Sequence, residues 1–254
     1  MSGSVEVRRE GNMAFVTLSH PGRLNAMSRA MWLALRSNFE ALSKDEALRC
    51  IVVRGEGGAF CAGGDISEYP SFRFEEHSLR TFHEDEVWAG LQAMLDCPVP
   101  IVAQIEGACM GAGVEIASCC DIRLAAASAK FGAPIAKLGF PMAPREAALV
   151  QRAVGDVLAR DMLLAASVHG AQRLYDAGFL LQVLPDDELP AAVLAHATRI
   201  ASLAPAAARL NKATFLALNR SAASELVPTA YRYADSREHR EGIAAFLAKR
   251  SPAF

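Results

Sequence analysis

Two stretches of the chain share one pattern, in which an apolar strand runs into a loop of small residues and then into a helix. The first is Cys50-Ile-Val-Val53 followed by Gly55-Glu-Gly-Gly-Ala-Phe-Cys-Ala-Gly-Gly-Asp65. The second is Ile101-Val-Ala-Gln-Ile105 followed by Glu106-Gly-Ala-Cys-Met-Gly-Ala-Gly113, with a helix predicted from about Ala112 to Ser118. Glycine-rich loops of this kind let backbones approach closely or turn with positive φ. Strands that alternate with helices predict an α/β core.

The flanking segments extend this prediction to the whole chain. Val5 to Arg9 and Met13 to Leu18 alternate on either side of Glu10-Gly-Asn12, which indicates a hairpin. Ser28 suits the N-cap of a helix with apolar residues at helical spacing. From Asp187 onward nearly all of the pattern is helical. We therefore predict an α/β core over residues 1–186 and a helical C-terminal region over 187–254.

Composition narrows the class of protein. The 254 residues are 52% hydrophobic and 21% charged, with a net charge of -2, which is typical of a globular protein and argues against nucleic-acid or membrane partners. The N-terminus has no apolar signal-peptide core, so we expect a cytoplasmic protein. The six cysteines form no C-x-x-C pair and no histidine stands at zinc-ligand spacing, so we expect reduced thiols and no metal site.

Two small-residue loops that precede helices could bind an anion, because the first N–H groups of a helix have no intrahelical partner. If one N–H of each loop faced a carbonyl oxygen, the pair would form an oxyanion hole. The glycines could equally serve close helix packing. Known glycine motifs do not fit: there is no Gly-Lys-Ser/Thr of a P-loop, no third glycine of a dinucleotide fingerprint after Gly111-Ala-Gly113, and no G-x-S-x-G elbow.

The same residues resemble a known family. Ala59-Phe-Cys-Ala-Gly-Gly-Asp-Ile66 and the segment from Ile105 to Arg123 are similar to the paired signatures of the enoyl-CoA hydratase/isomerase (crotonase) superfamily, and the likeness runs from Pro21-Gly-Arg-Leu-Asn-Ala26 to Arg250. The resemblance implies a crotonase-like spiral of β-β-α repeats with a C-terminal helical trimerisation region. It also implies an acyl-CoA thioester substrate from pathways such as fatty acid metabolism, no permanently bound cofactor, and a homotrimer or homohexamer.

Carried over residue by residue, the resemblance assigns the oxyanion hole to the backbone N–H groups of Gly64 and Ala112, and the acid/base role to Glu115. A carboxylate among apolar neighbours should be desolvated, with a raised pKa. Glu115 could also be a helix-first-turn carboxylate, and Asp65 an N-cap. The residues that match the family's coenzyme A cleft are Arg23, Leu24, Ala26, Ala62, Asp65 and Ile66.

The chain departs from the family at one position. Hydratases carry a second glutamate after a Phe-Gly-x-Pro motif, and here Phe131-Gly-Ala-Pro134 is followed by Ile135. This argues against hydration by two glutamates. The nearest downstream carboxylate, Glu146, has the pattern of a helix start, and the charge run His83 to Glu86 that of a solvated helix face.

Several functions stay open at this stage. The family default is a lyase or isomerase that stabilises a thioester enolate, and the alternative within the superfamily is a decarboxylase or a retro-aldol lyase. The third possible function is that of a catalytically silent subunit that binds acyl-CoA. Retention of Glu115 favours an enzyme.

Overall fold

The chain begins with the hairpin that its alternating residues predict. In the computed structural model, which describes residues 2–219 and 222–254, β1 (Ser4–Glu10) pairs antiparallel with β2 (Met13–Ser19). The turn between them uses Gly11 at φ 59°, a conformation that glycine adopts without steric cost. The remaining strands are β3 (Cys50–Gly55), β4 (Ile101–Ile105), β5 (Ala108–Met110), β6 (Ile122–Ala126), β7 (Lys130–Gly132), β8 (Val168–Gly170) and β9 (Gln182–Leu184).

The strands form two sheets, and the chain passes repeatedly between them. A six-stranded sheet has the order β1-β2-β3-β4-β6-β9 and is parallel after its first pair, and a three-stranded sheet has the order β5-β7-β8. Thus β4 of the large sheet is followed by β5 of the small one, and β6 by β7. This alternation is the predicted spiral, but the three-residue strands of the small sheet were not predicted because they lie within the small-residue loops and turns.

Ten α-helices surround the sheets in the described residues. They are α1 (Arg29–Leu42), α2 (Glu76–Thr81), α3 (Trp88–Asp96), α4 (Ala112–Cys119), α5 (Pro144–Val154), α6 (Asp156–Leu164), α7 (Ala171–Asp176), α8 (Leu189–Ala201), α9 (Pro205–Asn219) and α10 (Arg237–Leu247). The Ser28 side chain accepts a hydrogen bond from the Met31 N–H and caps α1. The predicted apolar face of α1 is buried, which confirms the helical spacing; its residues are Met31, Trp32, Leu35, Phe39 and Leu42.

The large sheet is covered on both faces. The main core packs on one face and includes α1, α3 and α4, while α8 covers the other. Leu189, Val193 and Ala197 of α8 contact residues such as Val52 and Val102 of the central strands. Parallel strands that are buried on both faces have continuous apolar sequences, and β3 and β4 have such sequences. The first helix of the C-terminal region therefore packs on the sheet, and the oligomerisation role of 187–254 stays a prediction.

In the segment 67–80, Pro70, three aromatic residues and mixed charge without a clear period predict irregular structure, with a helix only from about Phe82. The structure shows that this prediction was wrong. A 3₁₀ helix covers Ile66–Ser71, and α2 runs through a π-helical turn, Phe82–Val87, into α3. The carboxylate of Glu75 accepts hydrogen bonds from the N–H groups of His77 (2.8 Å) and Ser78 (2.7 Å). This cap starts the helix well before the predicted start at Phe82.

The C-terminal helices are tied to the core by a buried cation. Lys212 of α9 donates to Asp121 Oδ2 (2.7 Å) and to the carbonyl of Val99 (2.9 Å).

In the described residues no single helix is long and apolar enough to cross a membrane. Helices α8 and α9 meet that test only as a pair, and the pair is bent by 104°.

Candidate active site

The two small-residue loops lie against each other. The Cys61 N–H donates to the Ala108 carbonyl and the Met110 N–H donates to the Cys61 carbonyl, each at 2.8 Å. Gly63 and Gly111 both have positive φ, 115° and 47°. A Cβ atom built on Gly111 would lie 3.8 Å from the Gly63 Cα atom. The backbone pairing thus brings together two loops that are more than 40 residues apart in the sequence.

Each loop presents a backbone N–H that has no acceptor within the described residues. Gly64 lies between two hydrogen bonds, from the Met27 N–H to the Gly63 carbonyl and from the Asp65 N–H to the Met27 carbonyl, both 2.8 Å. These bonds hold the strand around Gly64 and leave its own N–H free. Ala112 is the first residue of α4, where an N–H has no intrahelical partner. Both residues line one cavity of about 200 Å³, so its wall offers two donors to a ligand oxygen.

Glu115 lies in the same cavity, one turn into α4. Its side chain is buried and makes no hydrogen bond to any described residue. Burial raises the pKa of Glu115 well above its ordinary value, and the negative charge of Glu146 raises it further. This environment favours the protonated form of Glu115, which can donate a proton to a bound substrate.

A second carboxylate, Glu146, lines this cavity, which the sequence analysis did not expect. α5 begins at Pro144, which agrees with the helix start predicted near Glu146, but the Glu146 side chain in its first turn is only 3% exposed. Glu146 Oε1 lies 2.8 Å from His83 Nδ1, so the imidazole donates to the carboxylate. Two acidic side chains and one histidine therefore converge on the cavity.

The charge run His83 to Glu86 is not a solvated face, and that prediction was wrong. His83 lines the cavity, and Glu86 is buried in an ion pair with Arg29, whose Nε donates to Glu86 Oε2 at 2.9 Å. One sequence signal could have found His83: Val87 and Leu91 follow it at spacings of four, which places His83 on the apolar side of the helix.

Two residues of the 3₁₀ segment and the turn after it complete the wall. A Cβ atom built on Gly64 would collide with the Tyr69 hydroxyl oxygen, so this hydroxyl packs directly against Gly64. Burial raises the pKa of Tyr69. The Arg73 guanidinium lies 3.6 Å from the ring centroid of Phe140 and 4.5 Å from that of Tyr69. The sequence analysis assigned neither residue a role.

Ile135 stands in the same cavity, half-buried, beside Pro134. Ile135 follows the Phe131-Gly-Ala-Pro134 motif, where the resemblance implies a second glutamate in hydratases, and the second carboxylate of this cavity is that of Glu146. The departure in sequence is therefore not a loss of the second carboxylate from the site.

The residues matched to the coenzyme A cleft lie next to one another beside this cavity. The Ala62 N–H donates to the Leu24 carbonyl (2.9 Å), and Arg23 Nη1 donates to Asp65 Oδ1 (3.1 Å). Leu24 and Ile66 are exposed, while Ala26 is buried. Ala62 and Ile66 line the cavity, and the hydrogen bonds of Leu24 and Arg23 join a second chain segment to this edge.

Asp65 is also an N-cap, the alternative noted from the sequence. Its Oδ1 accepts hydrogen bonds from the backbone N–H (3.1 Å) and the hydroxyl (2.7 Å) of Ser67. Burial alone would raise the pKa of Asp65, but these hydrogen bonds and the charges of Arg23 and His20 hold it below its ordinary value. Asp65 thus shapes the loop that carries Gly64.

The cysteines contribute packing to the site. All six are free and buried, and burial raises the pKa of Cys61 to about 12, so this thiol stays protonated near neutral pH. Within residues 2–219 and 222–254, no group of three or more His, Cys, Asp or Glu side chains could hold a metal ion.

Comparison with known proteins supplies the context for this geometry. A model of the enoyl-CoA hydratase/isomerase family matches residues 8–254. The chain belongs to the enoyl-CoA hydratase/isomerase family. A probable enoyl-CoA hydratase of Mycobacterium tuberculosis is 31% identical over 255 residues, which cover 99% of this chain and 97% of that protein. The 2,3-dehydroadipyl-CoA hydratase of Escherichia coli is also 31% identical, over 98% of this chain and 97% of that protein.

Solved structures of the family share the fold. The crystal structure of an enoyl-CoA hydratase/carnithine racemase from Magnetospirillum magneticum superimposes with a TM-score of 0.92 at 36% identity, covering 98% of this chain and 94% of that one. An enoyl-CoA hydratase of Mycobacterium smegmatis gives 0.90 at 27% identity, covering 98% of each chain. The crotonase fold is confirmed, and this enoyl-CoA hydratase/isomerase family member is an acyl-CoA-processing enzyme at the level of its superfamily.

Proposed function

We propose that the protein catalyses the reversible addition of water to a 2-enoyl-CoA thioester, with Glu115 and Glu146 as its two acid/base groups. The observation that carries the proposal is the presence of two buried carboxylates with different surroundings in one cavity with two free backbone N–H groups. The hydratases named among the relatives, one of which acts on a 2,3-dehydro thioester by its name, support this reaction class.

The thioester carbonyl oxygen is proposed to accept hydrogen bonds from the N–H groups of Gly64 and Ala112. When water adds to C3, negative charge develops on this oxygen as the enolate forms. Fixed donors stabilise that charge more than they stabilise the neutral substrate, and losing one such donor typically costs about a hundred- to a thousandfold in rate. The coenzyme A part is proposed to lie along the edge formed by Arg23, Leu24 and Ile66.

The proton transfers follow from the surroundings of the two carboxylates. Glu146 accepts a proton from water as the hydroxyl oxygen bonds to C3, and His83 orients the Glu146 carboxylate through its 2.8 Å hydrogen bond. Glu115, held in its protonated form by burial, gives its proton to C2 of the enolate. One water is consumed, and solvent exchange of one proton from Glu146 and to Glu115 returns the enzyme to its starting state.

The test is hydration of crotonyl-CoA by purified protein, followed by loss of the enoyl thioester absorbance. Glu115→Gln and Glu146→Gln each keep the side-chain shape but cannot transfer the proton. We expect each to lower kcat by about a hundred- to ten-thousandfold, with affinity for butyryl-CoA changed less than fivefold. Glu84→Gln is the matched control, since Glu84 adjoins His83 but pairs with Arg145 outside the cavity (3.2 Å).

Other outcomes identify the alternatives. Release of CO2 from methylmalonyl-CoA, or cleavage of a 3-hydroxyacyl-CoA, without crotonyl-CoA hydration would replace the proposal with a decarboxylase or a retro-aldol lyase. Binding of acyl-CoA without any turnover would make the protein a silent binding subunit. Brisk hydration that neither glutamine substitution slows would overturn the assignment of both carboxylates.

A further inference from the structure

Arg73 lies between two cavities. Its side chain lines the catalytic cavity with Glu115, and it also lines a neighbouring cavity of about 730 Å³. Tyr69, His83 and Phe140 border both spaces as well. An acyl group that extends from the oxyanion loops into the second cavity would therefore pass the guanidinium.

This guanidinium has no carboxylate partner in residues 2–219 and 222–254: no Asp or Glu oxygen there lies within 4 Å of it. Its contacts are the rings of Phe140 and Tyr69 and, at 3.5 Å from Nη1, the Nε2 atom of His83. Two other arginines differ from Arg73, because Arg29 pairs with Glu86 and Arg145 with Glu84. Arg73 is half-buried, and a desolvated cation without a partner is costly.

The rest of the second cavity is mainly apolar, with Phe74, Leu79 and Leu138 on its wall. Such a wall suits a hydrocarbon chain but offers nothing to a charged one, except at Arg73 and His83. A guanidinium presents several N–H donors in one plane, which match the two oxygens of a carboxylate. The rings of Phe140 and Tyr69 restrict how the Arg73 group can turn.

We propose that Arg73 binds a carboxylate on the acyl chain, so that the substrate is the CoA thioester of a dicarboxylic acid. The proposal rests on the acyl-CoA chemistry proposed above and names its substrate class. A burial-induced fall in the pKa of Arg73, which Tyr69 and Glu146 oppose, fits a cation whose full solvation has been lost and whose partner arrives with the ligand.

Calorimetry on the full chain tests the proposal through binding, without turnover. The probes are succinyl-, glutaryl- and adipoyl-CoA, their neutral counterparts butyryl-, valeryl- and hexanoyl-CoA, and CoA itself. For the best acidic probe we expect at least tenfold tighter binding than for its neutral counterpart. Arg73→Met should reduce this ratio about ten- to a hundredfold, since hydrogen bonds to charged groups contribute about 1.5–3 kcal/mol. If the substitution disturbs His83, the affinities for the acidic and the neutral thioester should change alike, so their ratio should not change.

Two further variants sharpen the result. Arg73→Lys keeps a positive charge without the planar donor set and should recover part of the preference. Arg80→Met is the matched control, because Arg80 lies seven residues along the chain, in α2, but is exposed and pairs with Glu76. Its acid-to-neutral ratio should equal that of the unmodified protein.

An acid-to-neutral ratio that is near one, or that Arg73→Met and Arg73→Lys leave unchanged, would overturn the proposal. Equal weakening of CoA, neutral and acidic thioesters by Arg73→Met would also overturn it, since the guanidinium would then bind the CoA phosphates. If crotonyl-CoA is hydrated but the ratio does not move, only this inference fails. If nothing is hydrated but the ratio falls as expected, only the hydratase proposal fails.

Discussion

At the scale of single residues, the surroundings of Glu115 and Glu146 differ although both line one cavity. Glu146 accepts a hydrogen bond from His83, whereas Glu115 has apolar neighbours and no hydrogen-bond partner in the described residues. Two like charges at close range cannot both ionise freely. This difference in surroundings supports the proposal that Glu115 gives a proton to the thioester and that Glu146 accepts one from water.

The raised pKa of Glu115 makes stability depend on pH. Because its pKa is higher in the folded protein than the ordinary value of 4.5, the folded state holds this proton more tightly. Its contribution to stability is fully present below about pH 4.5 and is lost as pH rises through the folded-state pKa, by about 1.4 kcal/mol per pH unit in that window. Glu115→Gln cannot ionise, so we expect its free energy of unfolding to rise relative to that of the unmodified protein over this window.

Urea unfolding at a series of pH values from 4 to 8 measures this difference. Glu84→Gln, which changes a more exposed carboxylate outside the cavity, serves as the control for the loss of a carboxylate as such. A Glu115→Gln difference that stays constant across the range would show that Glu115 ionises with an ordinary pKa.

At the scale of elements, the contact between α4 and the first loop places the proposed catalytic groups. Ala112 and Glu115 both lie on α4, and Gly113 between them faces the backbone of Cys61. A Cβ atom on Gly113 would lie 2.5 Å from the Cys61 carbonyl oxygen. The pairing of Cys61 with Ala108 and Met110 leaves this backbone little room to move.

We therefore expect Gly113→Ala to cost about 1–3 kcal/mol of stability, as overpacking in a core does. It should also lower the rate of thioester turnover, because α4 must shift with its N–H donor and its carboxylate. Denaturant unfolding and the crotonyl-CoA assay measure the two effects. Gly242→Ala is the control within another helix: the nearest atom to its Cβ is 3.6 Å away, so stability should stay the same or rise by up to about 1 kcal/mol. Similar stability for both variants would contradict the close packing.

Element by element, local pattern predicted much of the fold. The spacing of apolar residues, together with caps a few residues away, predicts the buried face of α1, the strands β3 and β4, and the helix α4. The early start of α2 was missed because its cap, Glu75, belongs to a segment of mixed charge without a clear period. The second sheet was missed because strands of three residues have too little alternation to detect.

At the scale of the whole molecule, the C-terminal region leaves large apolar side chains exposed. Beyond α8, exposed residues include Phe215, Tyr231, Phe246 and Leu247, at 66%, 73%, 81% and 75%. Clusters of exposed apolar groups mark association surfaces. We expect a homotrimer or homohexamer that buries these residues, measured by light scattering at micromolar concentration.

Phe246→Glu should shift this assembly toward smaller species, because a charge would have to be buried at the contact. Leu33→Glu is the control: Leu33 is 51% exposed on α1, outside the C-terminal region, and its substitution should leave the assembly intact. A monomer in the unmodified protein would contradict the predicted oligomerisation.

The sequence alone determined the two strand-loop-helix units, the burial of Glu115 on α4 and the family to which the chain belongs. Each of these features depends on neighbours within one turn or one loop, because the period of apolar side chains and the backbone freedom of glycine are properties of the local residues. Only the tertiary structure decided that Glu146 and His83, 63 positions apart, share the cavity, and that Arg73 lies in its wall without a carboxylate partner. A helical carboxylate or histidine has the same local pattern whether it faces water or a cavity, and the packing of distant elements alone selects between them.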